Sequence, residues 1–299
     1  MSLVKILNYG SMNLDHAYSV PHFVLPGETI SASDMNLFSG GKGLNQSIAV
    51  AKAGGTVFHA GIVGEDGEIL LDALRAVAVN TAYVQKAQGP SAHTVIQVEP
   101  DGQNSIIVFS GDNMRMTEKQ MDEILNGFGP GDLLMLQNEL YGSPVMLRKA
   151  ASRGMTVLLN PSPADEHLKD YPLDQVDWFI LNEIEGELLT GEKEPERILS
   201  VFAEKYPDAS VVLTVGEKGA YLQTPNIRIH QKAFKVDPVD TTAAGDTFTG
   251  YFIAGLAAGL PFDRIMRRAA LAASIAVRRP GAADSIPRST EVDLAETSL

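Results

Sequence analysis

Four short apolar runs dominate the second half of the chain. Each is nearly continuous in aliphatic or aromatic residues, which is typical of parallel strands buried on both faces. The runs lie at 133–136, 156–159, 178–181 and 211–215. Helical stretches separate them, so we predict an α/β fold with a mostly parallel central sheet and helices on both faces.

Two further segments predict a small second sheet. Residues 16–38 contain short β-like runs, and residues 93–98 and 105–109 alternate around the turn Pro100-Asp101-Gly102. We expect 16–38 and 93–109 to form a β lid, with one main domain made of 1–15, 39–92 and 110–299. No repeat or linker divides the chain further.

A helix is predicted to begin near Gly245. The apolar residues that follow recur at four-residue spacing and predict an amphipathic helix, which Gly259 and Pro261 end. These apolar residues are Phe248, Phe252 and Leu256.

The start of this helix is a candidate site for an anion. Ala243, Ala244 and Gly245 are too small to block the exposed backbone N–H groups, so a phosphate can bind there. Asp246 would lie beside that phosphate and could take a proton from an attacking hydroxyl. The alternative is that Asp246 only complements the helix dipole.

Composition limits the classes of partner and chemistry. The 299 residues carry a formal net charge of -13, which argues against nucleic acid or an anionic membrane as the main partner. The absence of cysteine excludes disulfides and thiolate chemistry. With no signal-peptide pattern before the strand-like residues 4–9, we expect a cytoplasmic protein.

Polar residues follow the predicted strands and could contact a ligand. Asn13 and Asp15 come after the strand at 4–9, and Glu139 after the run at 133–136. Asn182 and Glu185 are three positions apart, where they could face Mg²⁺ or simply cap a helix, and the spacing favours neither. Neither a P-loop nor a GxGxxG motif is present.

Six motifs, taken in order, make the chain resemble the ribokinase, or PfkB, family of carbohydrate kinases. The resemblance covers nearly the whole chain. The motifs are Gly10-Ser11-Met12-Asn13-Leu14-Asp15, Pro26-Gly27-Glu28-Thr29, Gly40-Gly41-Lys42-Gly43-Leu44-Asn45, Asn160-Pro161, Asn182-Glu183-Ile184-Glu185 with Leu189-Thr190-Gly191, and Asp240-Thr241-Thr242-Ala243-Ala244-Gly245-Asp246.

The resemblance implies ATP-dependent phosphorylation of a sugar hydroxyl, which in ribokinases proper is the 5-hydroxyl of D-ribose. It implies that Asp246 is the catalytic base and that the amides of Ala243, Ala244, Gly245 and Asp246 form an anion hole. The residues implied to hold the sugar are Asn13, Asp15, Gly41, Lys42, Asn45 and Glu139, together with Asp246.

The same resemblance implies a nucleotide pocket, two kinds of cation and a homodimer formed through the lid. The nucleotide residues would be Asn182, Thr214, Gly216, Gly219 and Gly245. Asn182 and Glu185 would organise Mg²⁺ largely through water. A K⁺ site would be formed by Asp240, Thr242, Ala276, Gly281 and Ser285.

One departure from the family pattern leaves the acceptor open. Leu44 stands where a small residue, commonly alanine, is expected, and its bulk could reshape the sugar pocket. The alternatives are a kinase for another sugar or a nucleoside, and, ranked lower, a sugar sensor without turnover. A dehydrogenase ranks lowest because the dinucleotide fingerprint is missing.

Overall fold

The computed structural model describes residues 4–111 and 116–298, which form two sheets and a set of surrounding helices. The strands are β1 (Ile6–Tyr9), β2 (Asn13–Ser19), β3 (Asp34–Gly40), β4 (Val57–Val63), β5 (Asn80–Lys86), β6 (His93–Val98), β7 (Asn104–Phe109), β8 (Leu133–Gln137), β9 (Thr156–Asn160), β10 (Trp178–Asn182), β11 (Ser210–Thr214), β12 (Ala220–Gln223) and β13 (Arg228–Gln231). The α-helices are α1 (Lys42–Lys52), α2 (Glu68–Arg75), α3 (Glu118–Leu125), α4 (Ser143–Ser152), α5 (Glu183–Thr190), α6 (Pro195–Lys205), α7 (Ala244–Ala257), α8 (Phe262–Ala276) and α9 (Ser289–Thr297).

The large sheet has the strand order β13-β12-β11-β10-β9-β8-β1-β4-β5. Its strands run parallel from β11 to β5, and β12 and β13 are antiparallel additions at one edge. The four apolar runs form β8 to β11, as predicted, with ends displaced by at most one residue. The mostly parallel sheet expected from the sequence is therefore confirmed.

Two apolar cores cover the two faces of the large sheet. One contains the inward sides of α1, α7 and α8, and the other those of α3, α4 and α6. Polar residues close the carboxyl ends of the central strands, where Gln137 pairs in register with Asn160 and Asn182 with Thr214. This edge is where open α/β sheets bind ligands.

The helix α7 differs from the sequence prediction. It begins at Ala244, one residue before the predicted start, but residues 246–255 are all buried, so the predicted amphipathic character is wrong. The helix packs on α1 so closely that a Cβ placed on Gly250 would lie 2.3 Å from the Cβ of Ala49. A helix that is covered on all sides has no solvent-exposed face, so polar residues are not favoured along one side of it.

The small sheet has the order β3-β2-β6-β7 and contains the predicted hairpin β6–β7. β2 pairs antiparallel with β3 and parallel with β6. Its strands reach back to Asn13 and forward to Gly40. The predicted boundaries between the lid and the main domain, at 15/16 and 38/39, stay a prediction. Residues 1–3, 112–115 and 299 of the predicted main domain lie outside the described part of the chain.

No helix within residues 4–111 or 116–298 combines the length and the apolar content that crossing a bilayer requires.

Candidate active site

Asp246 lies in the first turn of α7, and its side chain is 8% exposed. The turn is entered through Ala243, whose φ of 59° is left-handed, a conformation that costs a non-glycine residue about 1–2 kcal/mol. Its carbonyl accepts from the Thr247 amide at 2.8 Å, which starts the helix. Such a locally strained backbone is typical of functional sites.

The backbone N–H groups at this helix start are largely unused. Within the described residues the amides of Ala243, Gly245 and Asp246 donate to no protein acceptor, whereas the Ala244 amide donates to the Thr241 carbonyl at 3.2 Å. A Cβ placed on Gly245 would meet no atom within 4 Å, so the space around Gly245 is open. Three of the four predicted amides are therefore available to an anion.

Two side-chain amides from α1 hold the Asp246 carboxylate. Asn45 Nδ2 donates to Asp246 Oδ2 at 3.1 Å, and Gln46 Nε2 donates to Asp246 Oδ1 at 2.9 Å. Both amides are buried, so each bond is made away from water. The packing of α1 against α7 therefore fixes the carboxylate in one orientation.

Lys42, at the start of α1, lies in the electrostatic reach of three acids. Its backbone N–H donates to Glu139 Oε2 at 3.2 Å, and the Ser11 hydroxyl donates to the same oxygen. Burial would lower the pKa of the Lys42 ammonium, but Asp246, Glu139 and Glu185 outweigh it and raise that pKa. Burial also raises the pKa of Glu139, against the opposing effects of Ser11 and Lys42.

Asp15 lies where the small sheet meets the large one. Thr94 Oγ1 donates to Asp15 Oδ1 at 2.6 Å, across the β2–β6 pair. A Cβ on Gly40 would lie 1.8 Å from Asp15 Oδ2, so only glycine at 40 leaves room for this carboxylate. Burial raises the pKa of Asp15, and Thr94 opposes that rise. Asn13, opposite Gly40 in the β2–β3 pair, is buried.

Asn182 and Glu185 form a helix cap at the start of α5. Asn182 Oδ1 accepts from the Glu185 amide at 3.0 Å, and the Glu185 carboxylate accepts from Asn182 N at 2.9 Å and Nδ2 at 3.1 Å. Of the two readings left open by the spacing, the cap is the observed one. Each Glu185 oxygen accepts one hydrogen bond within the cap and keeps acceptor capacity, so the pair still fits a metal-bound water. No group of three or more His, Asp or Glu side chains that could hold a metal ion occurs in 4–111 or 116–298.

Thr214 lies beside this cap, and two predicted glycines follow it in the chain. Thr214 ends β11 next to Asn182, and its hydroxyl donates to the Leu181 carbonyl at 3.3 Å. Gly216 and Gly219 follow in a turn, where a Cβ on Gly219 would lie 2.0 Å from the Gln231 carbonyl oxygen. The predicted nucleotide residues Asn182 and Thr214 are thus neighbours.

Two of the predicted K⁺ residues, Thr242 and Gly281, bond to a third, Asp240. Asp240 Oδ1 accepts from the Thr242 amide at 2.8 Å and Oδ2 from the Gly281 amide at 2.9 Å. Burial opposes ionisation, but these donors outweigh it and lower the pKa of Asp240. The carboxylate thereby joins the loop before α7 to the segment that carries Ser285, and Ala276 ends α8 just before it. Oxygen atoms on two joined loops are the donors that a hard cation needs.

Three polar residues of the site received no role from the sequence: Ser11, Gln46 and Thr94. Ser11 lies inside a family motif, Gln46 directly follows one, and Thr94 alternates in a strand, so none carries a signal of its own. The Leu44 side chain is fully buried in the core with Met12 and Leu14, and the effect of its bulk on the sugar pocket stays a prediction.

The chain is similar to known proteins over nearly its whole length. The model of the pfkB family carbohydrate kinases matches residues 4–289. The ribokinase of Haemophilus influenzae is 35% identical over 292 residues, 94% of this chain and 95% of that protein. The deoxyribokinase of Salmonella typhi is 32% identical, over 87% of this chain and 88% of that protein.

Solved structures are similar over the same length. The ribokinase of Arabidopsis thaliana, complexed with ribose and ATP, superimposes with a TM-score of 0.88 at 31% identity, covering 98% of both chains. The chain therefore belongs to the PfkB family of carbohydrate kinases. It is a phosphotransferase whose acceptor is a sugar hydroxyl.

Proposed function

We propose that the chain transfers the γ-phosphoryl group of ATP to the 5-hydroxyl of D-ribose, with Asp246 as general base. The observation that carries this proposal is the buried Asp246 carboxylate, held by Asn45 and Gln46 beside three unused helix-start amides. The ribose and ATP in the Arabidopsis ribokinase structure support the choice of substrates.

The chemistry needs little more than alignment of these groups. The acceptor oxygen attacks the γ-phosphorus as its proton passes to Asp246, and the bond to the leaving ADP breaks. The amides of Ala243, Gly245 and Asp246 stabilise the charge on the transferred group, because helix-start N–H groups are fixed before the reaction begins. Lys42, kept charged by the surrounding acids, supplies the nearby positive charge.

The sugar is held by acids and amides on both sides of the junction between the two sheets. Asp15 and Asn13 come from the lid strand β2, and Lys42, Asn45 and the Gly41 backbone from the start of α1. Glu139 completes the set from the end of β8. Each sugar hydroxyl removed would leave one of these polar groups without its hydrogen-bond partner beneath the bound sugar, which selects against deoxy sugars.

The nucleotide lies against Asn182, Thr214, Gly216 and Gly219, with its phosphates toward Gly245. Mg²⁺ would bind the nucleotide phosphates, with Asn182 and Glu185 acting through water because they already cap α5. Asp240, Thr242, Ala276, Gly281 and Ser285 would hold K⁺, which supplies a fixed positive charge beside the amides. Turnover in K⁺ but not in Na⁺ buffer tests that site.

Release of ADP from MgATP, measured with single acceptors, tests the reaction. The panel is D-ribose, 2-deoxy-D-ribose, D-fructose, adenosine and pseudouridine, and we expect D-ribose to give the highest kcat/KM. A preference for 2-deoxy-D-ribose would fit the deoxyribokinase relative and would refute ribose as the acceptor. Ribose binding without turnover of any acceptor would instead favour a sensor.

Replacing the base tests its role directly. We predict that Asp246→Asn keeps binding of ribose and ATP but lowers kcat about 10²- to 10⁴-fold, since the amide keeps the shape and loses the proton acceptor. Calorimetric titration measures binding, and the ADP assay measures kcat. Turnover within threefold of the wild type would remove Asp246 from the role of base.

We further propose a homodimer through the lid, with a second copy of the chain covering its exposed apolar face. Leu37 and Ile107 lie on the face opposite to Asp15, because strand pairing puts them in line with His16 and Val95. They are 41% and 63% exposed. An apolar sheet face with open edges needs cover.

The oligomeric state tests this interface. Sedimentation at assay concentrations should give a dimer for the wild type and a monomer for Ile107→Glu, because the new carboxylate would be buried without a partner. Ile227→Glu, at an exposed apolar position outside the lid, is the matched control and should remain dimeric. A monomeric wild-type protein would contradict the proposal.

A further inference from the structure

The Gln46 side chain lies between Asp246 and a row of other buried amides. Its Nε2 donates to Asp246 Oδ1 and also to Asn160 Oδ1, both at 2.9 Å. Its Oε1 accepts from Gln137 Nε2 at 2.8 Å, and Gln137 Nε2 donates in turn to Asn8 Oδ1 at 3.1 Å. Gln46 has no solvent-exposed surface, so these bonds are not exchanged with water.

Both branches of this row end on backbone carbonyls, which can only accept. Asn160 Nδ2 donates to the Ile180 carbonyl at 2.8 Å, so Asn160 Oδ1 must face Gln46 and accept. Asn8 Nδ2 donates to the Gly43 carbonyl at 2.7 Å, so Asn8 Oδ1 faces Gln137. The Gln137 nitrogen then faces Gln46 Oε1. The two branches independently require the Gln46 nitrogen to point at Asp246.

We propose that Gln46 is a positioning residue, whose amide cannot be reversed and therefore holds Asp246 as an ionised carboxylate oriented toward the acceptor hydroxyl. This inference rests on the proposed function, because it gives Gln46 its role through the base. A hydrogen bond to a charged group is stronger than one between neutral groups, so losing it should affect the charged form of Asp246 above all.

Two charged side chains act on Asp246, and a third acts on Lys42. Lys42 on α1 and Glu139 after β8 are in electrostatic reach of it, and Glu185 on α5 is in reach of Lys42. Asn45, the other amide on the carboxylate, is neutral. None of these groups bonds to Gln46, so a substitution at 46 leaves them in place.

Two variants of the enzyme test the proposal. Gln46→Glu puts a second carboxyl group next to Asp246, and we expect the acid limb of the kcat against pH profile to move up by at least one pH unit, because the two groups cannot both ionise. Gln46→Met removes the donor, and kcat should fall about ten- to hundredfold with KM for sugar within threefold. An unmoved acid limb in Gln46→Glu overturns the inference.

Ser47→Ala is the matched control for a merely structural effect. Ser47 is the next residue on α1, equally buried, and it bonds to Asn8 Nδ2 and to the His59 ring, both at distances below 3 Å. It does not touch Asp246, and Asn8 stays oriented by the Gly43 carbonyl. We expect lower thermal stability with the wild-type acid limb. An equal displacement in Ser47→Ala would overturn the specific role of Gln46.

A direct titration separates this inference from the proposed function. The ¹³C shift of the Asp246 carboxyl, assigned by its loss in Asp246→Asn, can be followed with pH without substrate. Its midpoint should be higher in Gln46→Met than in the wild type, and an equal midpoint overturns the inference. Failure of the wild type to phosphorylate any sugar would reject the proposed function, while the titration would still decide the effect of Gln46.

Discussion

His59 makes the stability of the protein dependent on pH. The ring is fully buried, with Nδ1 2.8 Å from Ser47 Oγ and Nε2 3.1 Å from the Gly10 carbonyl. The carbonyl requires Nε2 to donate, so Nδ1 accepts from Ser47 in the neutral ring. Burial lowers the pKa of His59 from 6.5 to about 4, although the Gly10 carbonyl favours the charged form.

The sign and size of the effect follow from this lowered pKa. Below pH 6.5 the unfolded chain protonates its histidine while the folded protein does not, so stability is complete above pH 6.5 and is lost as the pH falls toward 4. For an unfolded pKa of 6.5 and a folded pKa of about 4, His59 removes about 2 kcal/mol from the free energy of unfolding between pH 7 and pH 4.5.

Urea unfolding at these two pH values measures the effect. His59→Gln keeps a donor for the Gly10 carbonyl but does not titrate, so its loss of stability should be about 2 kcal/mol smaller than that of the wild type. Carboxyl groups act equally in both proteins and cancel. His167→Gln, at an exposed position, should lose as much as the wild type. An equal loss in His59→Gln would refute the reasoning.

One glycine, Gly40, and one alanine, Ala243, offer further predictions. Gly40→Ala should raise KM for the sugar at least tenfold, because the new Cβ would lie 1.8 Å from Asp15 Oδ2 and would displace that carboxylate. Steady-state kinetics measure KM. The control is Gly129→Ala, where a Cβ meets nothing within 4 Å and KM should be unchanged. Ala243→Gly and Ala78→Gly both relieve a left-handed alanine and should each raise the free energy of unfolding by up to about 1 kcal/mol. Only Ala243→Gly should also lower kcat, by loosening the helix-start amides; an unaffected kcat would mean that the strain at Ala243 serves no catalytic purpose.

The parallel strands β8 to β11 could be predicted because each is a short, nearly continuous apolar run, whereas the parallel strand β5 mixes polar and apolar residues and was not predicted. The predicted strand at 156–159 became Thr156–Asn160, and that at 178–181 became Trp178–Asn182. The amphipathic prediction for α7 failed because spacing identifies one apolar face and says nothing about Thr249 or Gly250 on the other. Those residues pack only once α1 is in place.

The sequence predicted only some of the residues of the candidate site. Motifs identified Asp246, Lys42 and Glu139 through the family resemblance, and the structure brings these three together. The role of Gln46 depends on amides from two other strands, and the orientation of an amide cannot be deduced from its own segment. The left-handed Ala243 was equally hidden, since alanine gives no signal of positive φ.

The two bonds that orient Asp246 join residues 200 and 201 positions apart in the chain. During synthesis the ribosome therefore releases the sugar-facing residues long before the helix that carries the base. Contacts of such long sequence separation close slowly, because the loop-closure entropy must be overcome first. A growing chain can thus form its first strands and its lid before it is able to transfer phosphate from ATP. In refolding, kinase activity should return last, after the sheet has formed.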